Sequence, residues 1–300
     1  MYKKKKLNRL AARRNIAGWL SVSPVILGIL FFTGVPFVQS FYHAFTEFNG
    51  IEEAKWIGLD NFKYLLDYDL FKYSLKITIK YTVITVPVTM ILGFLFALLF
   101  NVKIRGIAAF RVVAYLPCIM PGVVSAMVWK DLFSPSANGR FNQFLTALGF
   151  EPFPFISHPN TALFSMYLMG LWGLGGGMLL WISNMNAIPD SLYEAASIDG
   201  AGRLRKMFSI TIPMLTPVIL YQLVMGMVGA LQAFGSSFLM TKGGPMNSTY
   251  FMGLMIYETS FTYMDMGLAC AMSLVMFAMI GGLTAIVFKT SSWVFYGEEQ

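Results

Sequence analysis

Few residues in this chain are of types that do covalent or metal chemistry, and none is spaced to do it. The two histidines, His43 and His158, stand far apart and could not make a zinc site alone. The two cysteines, Cys118 and Cys270, lie inside apolar runs. They form neither a metal spacing nor a disulfide framework, and both are expected to be buried as small apolar residues. No GxxxxGK[ST] phosphate loop occurs. Gly173-Leu174-Gly175 begins something like a dinucleotide fingerprint, but it falls in an apolar run with no strand before it and carries no weight. The chain is expected to be no enzyme and to bind no metal or cofactor of its own.

The informative spacing lies at 185–212. Pro189 followed by Asp190-Ser191 can open a helix, and Ser191 and Glu194 stand at capping-box spacing. Ala195 and Ala196 are strong helix formers with almost no side chain, and Gly200 can end the helix at positive φ. A second short helix then carries Arg203, Arg205 and Lys206 on one side and Leu204, Met207 and Phe208 on the other, ahead of Ile212-Pro213. The result is a helix-turn-helix that offers small residues to an approaching protein. Taken alone, Glu194 reads first as a capping carboxylate and the basic triplet as an orientation signal, with a docking surface as the lesser alternative.

Composition defines the elements that must hold this segment. Of 300 residues, 56% are hydrophobic and only 12% charged, with a mean hydropathy of +0.62, whereas a soluble domain has roughly 25% charged residues. That excludes a soluble globule and makes lipid the solvent. The net charge of +7 sits in short stretches beside apolar runs, as membrane orientation requires, so nucleic acid is not an expected partner. Six windows lack Asp, Glu, Lys and Arg: 15–46, 81–102, 112–129, 152–189, 207–241 and 266–288. Because a crossing takes about 20 residues, they predict an all-α integral membrane protein with six transmembrane helices near 17–41, 78–101, 110–130, 161–184, 213–239 and 266–288.

Orientation follows from the cations. With the N-terminus inside, segments 1–16, 102–111, 185–212 and 289–300 hold 14 of the 22 Lys and Arg, seven of them in the first fourteen residues. Both termini are then cytoplasmic, and 185–212 is the longest inner loop, between helices 4 and 5. The organisation expected is a basic tail (1–16), one transmembrane domain (17–288) and a short tail (289–300). The first apolar run is too long for a signal-peptide core and reads as a retained helix. Segments 42–77 and 131–160 form the outer loops. Prolines 24, 36, 87, 117, 121 and 217 lie within the spans, where they serve either kinks around a cavity or packing irregularity. Gly173, Gly175, Gly176 and Gly177 allow close helix crossing or an opened backbone along a pathway. Lys80, Arg111 and Lys130 lie at span ends and no carboxylate lies at a span centre, which counts against a proton relay.

Glu194-Ala195-Ala196-x-x-x-Gly200, nine residues, then Ile210-x-Ile212-Pro213 resembles the EAA loop of importer-type ATP-binding cassette permeases, with Ile212 where the family usually has Leu. Trp56-Ile57-Gly58-Leu59-Asp60-Asn61-Phe62, Leu116-Pro117, Pro121-Gly122, Trp129 and Thr241-Lys242-Gly243-Gly244-Pro245 with Asn247-Ser248-Thr249 are similar to segments of maltose-transporter-type carbohydrate permeases. The resemblance covers about residues 15–290. It implies a subunit of the bacterial plasma (inner) membrane that pairs with a second, homologous permease and two ATP-binding cassette ATPases. An extracellular or periplasmic binding protein would deliver a sugar or oligosaccharide. ATP and Mg would sit on the ATPases, with Glu194, Ala195, Ala196, Asp199 and Gly200 docking against them. Candidates for the sugar pathway are Tyr115, Trp172, Tyr221, Gln222 and Gln232. The last is singled out by its place nine residues before Thr241, where such permeases line their cavity; a helix-to-helix hydrogen bond is its structural alternative. The competing reading is a secondary carrier or channel without ATPase partners.

Overall fold

The computed structural model describes residues 2–102, 104–135 and 139–295, without the side chains of 2–14 and 17. The seven N-terminal cations have their backbone in the helix Tyr2–Ile29, continuous with the first span, but their side chains lie outside the described set. The end of the expected C-terminal tail, 296–300, also lies outside it.

Three helices are long and apolar enough to cross a membrane: Gly18–His43, Asp69–Phe100 and Met266–Lys289. Three further crossings are possible as bent pairs: Ile107–Ile119 with Gly122–Leu132 at 96°, Pro159–Leu171 with Leu174–Asn186 at 44°, and Arg203–Met214 with Thr216–Leu231 at 64°. The protein is mostly helical, with three to six candidate membrane helices. It is not wholly helical: Thr46–Glu47 and Lys55–Trp56 pair as a short antiparallel ribbon, Thr46 opposite Trp56. The second long helix starts at Asp69 rather than near 78.

Local sequence explains the breaks. A residue before proline is driven out of the α region. Met120 and Pro121 are both extended, at ψ 133° and 135°, and two extended residues in a row turn the chain through the 96° bend. In the first span and at the base of the fifth, the helix widens to five-residue π turns at Leu30–Gly34 and Met207–Thr211. These lie just before Pro36 and Pro213, whose rings cannot donate and crowd the preceding turn. Pro87, in contrast, sits inside an unbroken helix.

The chain forms two compact units, one of residues up to Tyr64 with Thr259–Leu274, the other of Leu65–Glu258 with residues from Val275 onward. In the first, Asn61 donates through Nδ2 to the carbonyls of Ala44 and Thr46, both at 3.0 Å. Phe45 stacks on Trp56 at 5.6 Å. Gly267 donates its N–H to the Phe48 carbonyl at 2.9 Å, and a Cβ there would lie 2.2 Å from the Thr46 carbonyl, so only glycine fits.

The second unit is built on Asp69–Phe100, which packs against Leu174–Asn186 and Thr216–Leu231. Its buried residues are Phe71, Ser74, Ile77, Thr78, Tyr81, Thr82, Val86, Gly93 and Ala97, one face at helical spacing on which small side chains alternate with larger ones. Close approach at the small ones replaces the hydrophobic driving force that lipid does not supply. Below the stripe, Ala97, Met178, Trp181, Ile182, Met185, Leu215 and Val218 form one buried cluster. Residues 139–160 pack on Phe133, which stacks on Phe155 at 4.9 Å. They are held by Asn142, whose fully buried amide donates to the Ser134 and Phe153 carbonyls and accepts the Phe153 N–H at 2.8 Å. Asn142→Ala removes these three bonds and takes from the Phe153 N–H its Asn142 acceptor, at a cost of about 1–3 kcal/mol. Limited proteolysis of the purified protein is expected to cut within 131–160 several times faster in the variant than in the unaltered chain.

Candidate functional site

Two features in the second unit can do work: a cavity where helices diverge and an exposed helical loop at the end of Leu174–Asn186.

The cavity encloses about 410 Å³. Its walls come from Asp69–Phe100 (Thr89, Met90), from either side of the 44° break (Gly170, Gly173, Leu174, Gly177, Leu180), and from Thr216–Leu231 (Tyr221, Gln222, Met225, Gly226). No charged residue lines it. Its polar groups are hydroxyls and one amide, which suits an uncharged ligand rich in hydrogen-bonding groups. Gln222 Nε2 is buried and has no hydrogen-bond partner among the described residues; an unpaired donor in that position is unfavourable unless a ligand or another chain meets it.

Of the five candidate pathway residues, the structure brings Tyr221 and Gln222 together on this cavity. Tyr115 lies opposite Gly175, where an added Cβ would sit 2.9 Å from the Tyr115 Cα. Trp172 packs edge-on to Trp129 at 5.5 Å. Gln232 is exposed just past the end of Thr216–Leu231, and it does not line the cavity. Thr89, Gly170, Met225 and Gly226 were not anticipated. The signal that finds Met225 and Gly226 is spacing, since 222, 225 and 226 share one helix face.

The glycine cluster combines close crossing with an open wall. Gly175 is a crossing point, since a Cβ would lie 2.1 Å from the Ala114 carbonyl oxygen. Gly177 faces the cavity, and a Cβ there would meet the Gln222 Oε1 at 3.0 Å. Both cysteines are free, but neither is buried as expected: Cys118 is exposed and Cys270 half-buried. The Cys118 Sγ lies within 3.4 Å of the Gly173 carbonyl.

The helix at the loop runs Asp190–Ile198. Pro189 is its N-cap and no side chain caps it, so the expected Ser191–Glu194 capping box does not form. The helix starts two residues earlier than that box requires, placing Ser191 inside the first turn. Glu194 is exposed, and its carboxylate has no hydrogen bond or ion pair among the described residues. The C-terminus closes as a Schellman motif: Gly200 at φ 73°, its N–H on the Ser197 carbonyl at 3.1 Å, and the Ala201 N–H on the Ala196 carbonyl at 2.8 Å. Ala195, Asp199 and Gly200 are exposed, Ala196 is half-buried, and Ile198 is 87% exposed. Beneath this helix Arg111 donates through Nε and Nη2 to the Phe100 carbonyl at 3.0 and 2.7 Å, capping the end of Asp69–Phe100. Among the described residues no group of His, Cys, Asp or Glu could hold a metal.

This order of spans, broken helices and exposed loop is that of a transport protein, and residues 89–293 match the family described as binding-protein-dependent transport system inner membrane component. The chain belongs to that family. It is 36% identical to the protein described as "Probable ABC transporter permease protein YesP" of Bacillus subtilis, over 98% of this chain and 97% of that one. It is 30% identical to the trehalose/maltose transport system permease protein MalF of Thermococcus litoralis, over 94% and 96%. A solved bacterial ABC transporter involved in import of the acidic polysaccharide alginate shares the fold, with a TM-score of 0.83, 22% identity and coverage of 94% and 98%. The chain is thus an inner membrane permease subunit of an ATP-binding cassette transport system, which removes the lone-carrier alternative.

The two glycines give opposite expectations. Gly175→Ala forces backbone apart and should lower the melting temperature of the purified protein, overpacking costing about 1–3 kcal/mol. Gly177→Ala meets only the end of a flexible side chain, so the melting temperature should hold within a degree or two while Gln222 is displaced.

Proposed function

We propose that this chain is one of two non-identical permease subunits of a sugar or oligosaccharide importer. Six spans place both termini in the cytoplasm, and the bent pairs count as one crossing each. Support for a sugar comes from relatives named as trehalose/maltose, multiple sugar-binding and diacetylchitobiose systems, and from the uncharged, hydroxyl- and amide-lined cavity. The substrate passes Tyr221 and Gln222, delivered from outside by a binding protein. A solved structural neighbour carries an alginate pentasaccharide-bound periplasmic protein, which supports that arrangement.

The observation that carries the mechanism is the Asp190–Ile198 helix, solvent-exposed with Glu194 unpartnered among the described residues and its end fixed by Gly200. It seats in an ATPase subunit, with Ala195 and Ala196 allowing close approach and Glu194 and Asp199 supplying charge. ATP with Mg binds and is hydrolysed on the two ATPase partners. Their closure moves the seated helices, and the spans alternate between inward- and outward-facing states. The chain supplies position and the pathway; it holds no nucleotide itself.

In the reconstituted transporter, Glu194→Lys is expected to reduce ATP-driven uptake at least tenfold while the chain still inserts. Full uptake by that variant would remove the role assigned to Glu194. Gln222→Ala is expected to weaken uptake about five- to thirtyfold, as losing a buried hydrogen bond of about 1–2 kcal/mol to a ligand would, with ATPase subunits still bound. Uptake unchanged by Gln222→Ala would place the pathway elsewhere.

A further inference from the structure

The docking helix is joined to the fifth span by more than its turn. Between Ile198 and Arg203 the backbone runs through Asp199, the left-handed Gly200 and the extended Gly202. A link with two glycines would let the docking helix swivel. Two side-chain bridges span the gap. The Tyr193 hydroxyl lies 2.9 Å from the Thr211 Oγ1, and Lys206 Nζ donates to the Ser197 Oγ. Ser197 in turn donates to the Tyr193 carbonyl at 2.7 Å. One bridge is at the start of the docking helix and the other near its end, so together they remove rotation about the turn.

The Thr211 end is well anchored. Thr211 is buried and closes the widened turn Met207–Thr211. Tyr193, Ile210 and Met214 pack on the cluster of Trp181, Met185, Ile188 and Leu215. Leu215, 1% exposed, sits at the 64° bend. Beyond it, Thr216–Leu231 carries Tyr221 and Gln222 to the cavity. Thr216 stiffens that corner, donating to the Pro213 carbonyl at 2.7 Å and accepting the Phe295 N–H at 2.8 Å.

We propose that Tyr193 is a positioning residue for transport: its hydrogen bond to Thr211 makes Asp190–Ile198 and Arg203–Met214 move as one lever, so that displacement at the docking helix arrives at the cavity wall. The inference rests on the importer reading above. Without the bond the ATPases still seat and hydrolyse ATP, but part of each stroke is lost as swivel at Gly200.

The test uses the whole transporter in proteoliposomes and reads sugar moved per ATP hydrolysed. Tyr193→Phe and Thr211→Val remove the bond; Thr211→Ser keeps the hydroxyl. Tyr193→Phe and Thr211→Val should each lower the ratio about three- to tenfold, the range set by a hydrogen bond of ordinary net strength, with ATPase subunits retained on purification. The double variant should be no worse than either single one. Thr211→Ser should restore a ratio near that of the unaltered chain. An unchanged ratio in Tyr193→Phe, or equal loss in Thr211→Ser and Thr211→Val, overturns the lever. Absence of ATP-driven uptake by the unaltered transporter would instead overturn the importer reading on which it stands.

Discussion

In lipid, every backbone N–H and carbonyl must find its partner inside the protein, and the three bent pairs put this constraint at the centre of the structure. Each bend frees backbone groups that an unbroken helix would have used. At the 64° bend Thr216 donates to the Pro213 carbonyl at 2.7 Å, and in the irregular segment after the fifth span other short hydroxyl side chains act in the same way. Ser74 donates to the Tyr250 carbonyl at 2.8 Å, and Thr78 accepts the Met252 N–H at 2.9 Å. Thr249 ties down the Gly244 carbonyl and bonds to the Thr241 hydroxyl, while Ser237 donates to the Thr249 carbonyl. The segment after the fifth span is thereby fixed to Asp69–Phe100. Cations do the same at helix ends, Arg111 on the Phe100 carbonyl and Lys130 on the Leu239 carbonyl at 3.2 Å.

Once the breaks are satisfied, the helices need not stay parallel. The bend after Leu171 and the one at Leu215 let two segments separate beside Asp69–Phe100, and glycines leave the resulting void unfilled. A buried amide and two hydroxyl-bearing side chains face it without a charge among them. The same fifth-span segment that walls the cavity is continuous with the strut bonded to the docking helix. On the function proposed, pathway and coupling therefore meet on one stretch, residues 189–231.

Much of this was legible in the sequence because lipid imposes a coarse rule. Runs of about 20 apolar residues between charges point to stretches that hold the three long helices and the three bent pairs, and the helix closed by Gly200 lies where the EAA spacing falls. The bends were not legible. Pro87 and Pro121 look alike in an apolar run, yet one helix continues and the other turns by 96°. What separates them is the residue before the proline: Met120 is extended together with Pro121, whereas Val86 stays helical before Pro87. Side-chain register was equally hidden. Gln222 and Gln232 lie ten residues apart on one stretch of chain, and only the opposing Gly177 distinguishes the one facing the cavity. The ribbon at Thr46–Glu47 is too short to leave a periodic signal, and the capping box at Ser191 failed because Pro189 had already started the helix.

The central claim is that this permease moves its substrate only when ATPase subunits act on the Asp190–Ile198 helix. The most direct measurement compares labelled-sugar uptake into proteoliposomes containing the chain alone with uptake into vesicles containing the assembly purified with it, each with and without ATP and the binding protein. The account predicts uptake solely in the assembly, dependent on both additions. Uptake by the chain alone, indifferent to ATP, would contradict it.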